Sequence, residues 1–270
     1  MKILKKFHEH LNNSSDVSKT LKTTFLLAII LLLTPMISIS QNNQSFWIHA
    51  DQVKPSKQAD YEQVAKDFIE ACTKYNLKDS DWSTARIDDG TYLTITPISN
   101  MADLDKNTLA PLFEKMGEEK FRSIFKRFNE CYDKHGDYIV TLNSDLSYMP
   151  NGLTLNTEGQ NYRKWHFLYV TPSNSQALRE KIKAIKDLYA KKGAKEYFRI
   201  YHSGFGTMGE YYLAVISAKD EQSYAKLGDE NEALLGDEGK KLFAEMFSLL
   251  DKYESKTGVM RPDLGYTAKQ

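Results

Sequence analysis

Cysteine occurs only twice in this 270-residue chain, at Cys72 and Cys131, so one disulfide is the most it can form. Glycine and proline are scarce as well, 14 and 7 residues, which speaks for a packed globular protein rather than a linker or a disordered tail. Charge of one sign is missing too: 36 basic side chains face 36 acidic ones. With the signs interspersed there is no basic face, and nucleic acid is not an expected partner. No H-R-D or A-P-E signature and no nucleophile elbow in a Ser-His-Asp order is present, so the sequence carries neither kinase nor serine-hydrolase machinery.

Long apolar runs are equally absent. The longest, Phe25 to Leu33, is broken by Thr34 and Pro35, well short of the roughly 20 residues that cross a bilayer. Its setting is that of an export signal. Lys2, Lys5, Lys6, Lys19 and Lys22 precede it, and Ser38-Ile39-Ser40 follows with a small-x-small cleavage pattern. Residues 1–40 are therefore expected to be a signal peptide, and the mature chain periplasmic or secreted, without stable membrane insertion after cleavage. No cysteine sits near the cleavage point, which argues against a lipoprotein. Removing the leader leaves 31 basic and 34 acidic side chains in 230 residues, a net charge of −3.

What the chain does have is repetition. Trp47 and Trp165, Ser99 and Ser217, Asp133 and Asp251, and Tyr148 and Tyr266 are each 118 positions apart. Asp145-Leu146-Ser147-Tyr148 recurs as Asp263-Leu264-Gly265-Tyr266, and Pro55-Ser56 recurs as Pro172-Ser173 with the shift slipping to 117. Matches spread over a whole unit indicate a duplicated module. In the first copy, Phe46 to Val53 reads as a strand, and Tyr61, Val64, Ala65, Phe68, Ile69 and Cys72 recur at helical spacing. Ser83 to Ile87 and Tyr92 to Ile98 flank the hairpin signal Asp88-Asp89-Gly90. A helix through Phe121 to Tyr132 and a strand over Tyr138 to Leu142 complete a βαββαβ order. In the second copy the elements are a strand over Trp165 to Val170, a helix over Leu178 to Tyr189, a hairpin of Tyr197 to His202 with Tyr211 to Ser217, a helix over Leu242 to Tyr253 and a short segment near Tyr266. The units are 46–150 and 163–266, joined by a linker at 151–162.

A βαββαβ unit is the ferredoxin-like split motif, a four-stranded sheet with both helices on one face. Its bare face has to be buried, and two fused copies bury it against each other. The expected fold is α+β: two tandem ferredoxin-like units with the helices outside. This arrangement resembles the dimeric α+β-barrel superfamily in its tandem, single-chain form, which includes monooxygenase-like, EthD-like, NIPSNAP-like and haem-binding chlorite dismutase-like proteins. The resemblance covers Phe46 to Tyr266 and rests on element order, so it carries no catalytic residue over.

Alternation along strands assigns faces. With Trp165 aligned on Trp47, the inner face is expected to hold Trp47, His49 and Asp51 opposite Trp165, Phe167 and Tyr169. From the hairpins it takes Thr84, Arg86, Tyr92 and Thr94, with Arg199, Tyr201, Tyr212 and Ala214 from the copy. The candidate ligand site is thus Trp47, His49, Arg86, Tyr92, Trp165, Tyr169, Arg199 and Tyr212. Aromatics with a few convergent polar groups suit a small molecule; they equally suit a filled interface between sheets. Arg86 and Arg199 would bracket an anion if both point inward. His49 would serve as an acid, a base or an orienting group, or as a structural imidazole. His49 and Asp51 begin a metal set, but His166 falls on the helix side, His202 in a hairpin and His135 at a helix end, so no metal site is expected.

Gly204-Phe205-Gly206-Thr207-Met208-Gly209 spells G-x-G-x-x-G, but a strand rather than a helix follows, so no dinucleotide site is expected. Cys72 and Cys131 near the same end of parallel helices would form a disulfide in an oxidising compartment, or remain two buried thiols. The functional expectation is an exported binding protein holding a small aromatic or amphipathic ligand between the sheets, with no cofactor. The alternatives are a cofactor-free or haem-dependent enzyme of the α+β-barrel type, and a structural or interaction protein with a filled barrel.

Overall fold

Pro55 and Pro172 each follow the end of a strand, because proline cannot continue a sheet ladder. Pro55 opens the short 3₁₀ turn before the first helix, and Pro172 lies in the turn that leads to the helix at Ser175. The computed structural model describes residues 43–268, so the expected export segment lies outside the described residues. The first unit runs β1 (Ser45–Val53), α1 (Gln58–Lys74), β2 (Asp81–Ile87), β3 (Thr91–Ile98), α2 (Ala110–Met116), α3 (Glu118–Asn129) and β4 (Tyr132–Tyr148). The second runs β5 (Tyr162–Val170), α4 (Ser175–Lys192), β6 (Phe198–Ser203), β7 (Glu210–Ala218), α5 (Glu221–Phe247), β8 (Lys252–Met260) and the two-residue β9 (Tyr266–Thr267).

Each unit has the split-motif strand order, and every pairing is antiparallel. The two sheets do more than face each other. β4 pairs with β6 and β2 pairs with β8, so the edges join and eight strands close into one barrel. Among the described residues, closure leaves none of these eight strands at a free edge.

The recurring Asp-Leu-x-Tyr segment is the clasp of this closure. Each copy ends by docking its tyrosine on the start of the other unit's second strand: Tyr148 against Phe198 and Tyr266 against Trp82. Leu146 and Leu264 are buried beside them. The Leu264 carbonyl accepts from Thr84 Oγ1 and Trp82 Nε1, and Ser147 Oγ accepts from the Ile200 amide.

Two boundaries differ from the sequence expectation. The helix read over Leu242 to Tyr253 is the second arm of α5, which breaks at Gly236 (φ +61°); it stops at Phe247, and Tyr253 belongs to β8. Helical spacing of Leu250 and Tyr253 ran across a turn, which periodicity alone does not register. The helix read through Tyr132 stops at Asn129, and β4 is longer than expected at both ends.

The helices cover the outside of the barrel. In the second unit Leu178, Ile182, Ile185 and Tyr189 of α4 meet Leu168, Phe198, Ile200 and Tyr212 of the sheet. Leu178 is 0% exposed, and burial of such a side chain contributes roughly 1.5–3 kcal/mol. Both cysteines are free and buried, and they lie in separate clusters: Cys72 with Leu77, Leu112 and Tyr266, Cys131 with Val53, Tyr61 and Tyr92. No helix among the described residues is long and apolar enough to cross a membrane.

Candidate ligand cavity inside the barrel

The faces of the strands follow from one number. β1 and β5 are both nine residues long and start 117 positions apart, so the Pro-Ser shift, and not the Trp47–Trp165 shift, is the structural register. A one-residue slip exchanges every side chain between the two faces. Phe46, Ile48 and Ala50 therefore face inward with Arg163, Trp165 and Phe167. In the same way Ile87, Leu93, Ile95, Tyr211, Leu213 and Val215 point into the barrel.

Of the eight residues read as a site, Trp165, Tyr169 and Arg199 line the interior. The other five are on the outer side. Trp47 donates from Nε1 to Asp137 Oδ1 at 2.9 Å and is partly exposed. His49 lies beside the same carboxylate. Arg86 occupies the outer parity between Ala85 and Ile87, where its charge acts on Glu62 and Tyr92. Tyr92 stacks obliquely on Tyr61 of α1, ring centroids 4.6 Å apart, and donates to Glu62 Oε1 at 2.7 Å. Tyr212 packs under α4 and α5, beside His202.

The interior is not filled. A cavity of about 770 Å³ runs inside the barrel, within the usual size of small-molecule sites. The second unit supplies its bulk: Trp165, Phe167, Tyr169, Tyr201 and Tyr211. The first adds Phe46, Trp82 and Tyr138, but its other lining residues are largely small or aliphatic, among them Ala50, Ser83, Thr91 and Pro97. The space exists because the two copies do not mirror each other in size.

One end of the cavity is cationic. Arg163 and Arg199 are each 2% exposed, yet among the described residues neither is ion-paired with a carboxylate. Their partners are neutral. Arg163 donates to the carbonyls of Leu155, Gln160 and Tyr162 and to Asn156 Oδ1. Arg199 donates to the Thr154 and Leu155 carbonyls and to Ser217 Oγ, while its Nε is buried without a partner. Burial, and then the charge of Arg199, pushes the Arg163 guanidinium down to about 10; burial lowers Arg199 as well. Segment 151–161 lies across this end through those carbonyls. Sequence reasoning missed Arg163, although alternation from Trp165 places it two residues away on the same face.

At the other end are Tyr138, Tyr169, Glu254, Lys256 and the β6–β7 hairpin. Burial pushes Tyr138 up to about 12 and raises Tyr169 and Tyr211 too, so these phenols stay protonated. Glycines shape the hairpin. A Cβ on Gly206, whose φ is +87°, would sit 2.5 Å from the Asp137 carbonyl oxygen, so the loop closes on β4 only with glycine there. A strand precedes and a strand follows, as the sequence expects, and the G-x-G-x-x-G stretch is hairpin geometry.

Outside the barrel, β1 and β4 bring together a second polar group. Their register sets Asp51 opposite His135 and His49 opposite Asp137. His135 is thus on a strand and not at a helix end, because α3 stops before it. His49 Nδ1 lies 2.9 Å from Asp137 Oδ1 and Nε2 lies 3.1 Å from Asp51 Oδ1. Asp51 chiefly, with Asp137 added and burial opposing, raises the imidazole to about 9.

No protein-family model and no curated protein sequence matches the chain. Solved structures do. A monooxygenase-like protein from Lactobacillus acidophilus NCFM superposes with a TM-score of 0.52 at 11% identity, over 84% of this chain and 97% of its own. An anthrone oxidase-like protein superposes with a TM-score of 0.53 at 12% identity, covering 81% of this chain and 91% of that one. At these identities the likeness carries the fold alone. The chain has the dimeric α+β-barrel fold, with both halves supplied by one polypeptide.

Proposed function

We propose that the chain is an exported binding protein whose barrel takes an amphipathic anion, an apolar and partly aromatic body carrying a carboxylate or a similar acidic head. One observation carries this reading: the pair Arg163 and Arg199, buried at one end of a mostly apolar cavity with only neutral acceptors. Two guanidiniums held close in a poorly solvated space repel each other, and an anion between or beside them relieves that cost. Hydrogen bonds between charged groups of this kind contribute about 1.5–3 kcal/mol each. The aromatic wall of Trp165, Phe167 and Tyr211 receives the apolar body. Export rests on the basic lead, the short apolar run and the Ser38-Ile39-Ser40 pattern.

An enzyme of the same architecture is the second reading. Its weakness lies in the lining. Glu254 is held below the ordinary carboxylate range, first by Lys252, and the tyrosines are held above theirs, so these groups are far from the neutral pKa of a general acid or base. Haem does not fit the residues present. Among the described residues neither histidine nor cysteine lines the barrel cavity, and a phenol pushed upward is a poor axial ligand. His166 borders a smaller cavity of about 280 Å³ between the second sheet and its helices, but Tyr253 and Tyr224 occupy both its ring nitrogens.

Two probes of similar shape test the proposal: anilinonaphthalene sulfonate and the neutral phenylnaphthylamine, titrated by fluorescence. The expectation is one saturable site that prefers the sulfonate at least tenfold, with Arg163→Met and Arg199→Met each abolishing the preference. Equal affinity for both probes, or a preference that survives in folded Arg163→Met and Arg199→Met proteins, overturns the anion site.

A further inference from the structure

The outer face of β1 and β4 carries a second site, independent of the cavity. We infer that His49, Asp51 and His135 bind a divalent transition-metal ion of the zinc class. Strand alternation puts residues 49 and 51 of β1 on the same face as residues 135 and 137 of β4, and the antiparallel register sets them in opposed pairs. One donor atom from each of His49, Asp51 and His135 lies within 4.8 Å of the others. Donors sharing a zinc ion at about 2.0–2.2 Å stand roughly 3–3.5 Å apart, so rotation of the exposed His135 side chain completes the set.

The second observation is Asp51 itself. It is 5% exposed, and its Oδ1 is buried with no hydrogen-bond partner. His49 Nε2 is 3.1 Å away, at ion-pair distance, but the geometry between them falls short of a hydrogen bond. With no hydrogen bond of its own, this buried oxygen keeps a lone pair that a metal ion at that point would take up. Both of these donors are also held from behind. Asp137 takes the far ring nitrogen of His49 at 2.9 Å, and Tyr61 Oη donates to Asp51 Oδ2 at 2.8 Å. A carboxylate behind a ligating imidazole is the usual support of a metal-bound histidine, since it fixes the tautomer that leaves Nε2 free. Two imidazoles and one carboxylate select zinc-like ions over magnesium or calcium, which prefer oxygen alone.

The duplication gives an internal control. At the 117 register the copy keeps the imidazole as His166 but has Leu168 where the first unit has Asp51, and β8 sets Tyr253 opposite Leu168 as β4 sets His135 opposite Asp51. The fold therefore does not require the ligand set; the first unit has it in addition.

The test uses the full chain stripped with a chelator, titrated calorimetrically with Zn²⁺ and followed with Co²⁺ by visible absorption. The expected result is a zinc equivalent whose affinity drops at least tenfold in His135→Ala and in His135→Tyr, the residue the copy carries. His166→Ala should leave it unchanged, and the Co²⁺ bands should vanish in the His135 variants alone. No saturable Zn²⁺ binding by the stripped protein, or the same binding in the His135 variants as in the parent, overturns the site. The cluster would then be an imidazolium between two aspartates.

Discussion

His49 and His166 occupy the same position in the two copies, on the outer face of the first strand, and their chemistry is opposite. His49 lies between Asp51 and Asp137, which raise it to about 9. His166 has Leu168 and Ser255 at the corresponding places, with Tyr253 and Tyr224 on its ring nitrogens. Burial, with the charge of Lys164 added, lowers it to about 4. Backbone position thus settles which way a side chain points, while two or three neighbours settle its protonation. The interior teaches the same lesson. At positions 117 apart, Phe46, Ile48 and Ala50 stand against Arg163, Trp165 and Phe167, so one copy provides space while the other provides contacts and charge.

The largest effect expected from this comparison is on stability in acid. The folded-state pKa of His166 is depressed, so between about pH 6.5 and pH 4 the unfolded chain binds a proton that the folded chain refuses. Stability from this group is complete above pH 6.5 and is lost as pH falls towards 4, by about 2–3 kcal/mol at roughly 1.4 kcal/mol per unit. Urea denaturation at pH 7.5 and pH 4.5, for the parent and for His166→Phe, isolates the term from that of the carboxylates. Parallel pH profiles for the two proteins would mean that His166 titrates normally, and the contrast with His49 would shrink to one side.

A second expectation sharpens the contrast between the hairpins. The first unit turns in three residues, Asp88-Asp89-Gly90, whereas the second extends a loop onto β4. Gly206→Ala should destabilise the protein by about 2 kcal/mol or more, since a positive φ and a contact with the Asp137 carbonyl act together. Gly209→Ala has the positive φ without the contact and should cost about 1 kcal/mol. Equal thermal shifts for the two variants would show that the loop moves aside.

Much of this was legible in the sequence, and the losses have one physical origin. Element order and repetition gave the barrel, because the bare faces of two split units have no other burial. The clasp was visible as Asp145 to Tyr148 and Asp263 to Tyr266, although its role in closing the edges needed the strand pairings. Five of the eight expected lining residues lie on the outer side, because the sequence holds two shifts, 117 and 118, and the Trp47–Trp165 match follows the one that is not the structural register. Punctuation marks where a strand ends, so it holds register better than a match of one large side chain. His135 was missed as a neighbour of Asp51 for a similar reason. A helical pattern that runs three residues past Asn129 hides the start of the strand.

The third test makes the interior symmetric. Ile48→Trp puts in the first copy the residue that the second has at Trp165, directed into the cavity. The open volume accommodates the indole, so the fold should hold with its melting temperature unchanged or raised. Affinity for anilinonaphthalene sulfonate should fall at least tenfold, about 1.4 kcal/mol. Undiminished binding in the folded variant would place the probe elsewhere.

The smallest effect expected is at the Tyr253 phenol. Its oxygen is 2.7 Å from His166 Nδ1, and the two rings are stacked with centroids 6.0 Å apart. Tyr253→Phe keeps the stack and the contact with Phe247 but removes the hydrogen bond. A neutral imidazole has one donor and one acceptor to satisfy, and Tyr224 at Nε2 covers only one of them. The expected loss is about 1 kcal/mol at pH 7.5, the net worth of one hydrogen bond between neutral groups. Tyr253 is partly exposed, so water can replace the phenol, and the measured loss should not exceed that figure. The informative quantity is the imidazole's titration, followed by NMR in the same variant. With burial and Lys164 as the causes of its depression, the His166 pKa should stay well below 6.5 after the phenol is gone. Recovery to an ordinary value would assign the depression to the tyrosine, and the difference between the two histidines would then rest on a hydrogen bond rather than on burial.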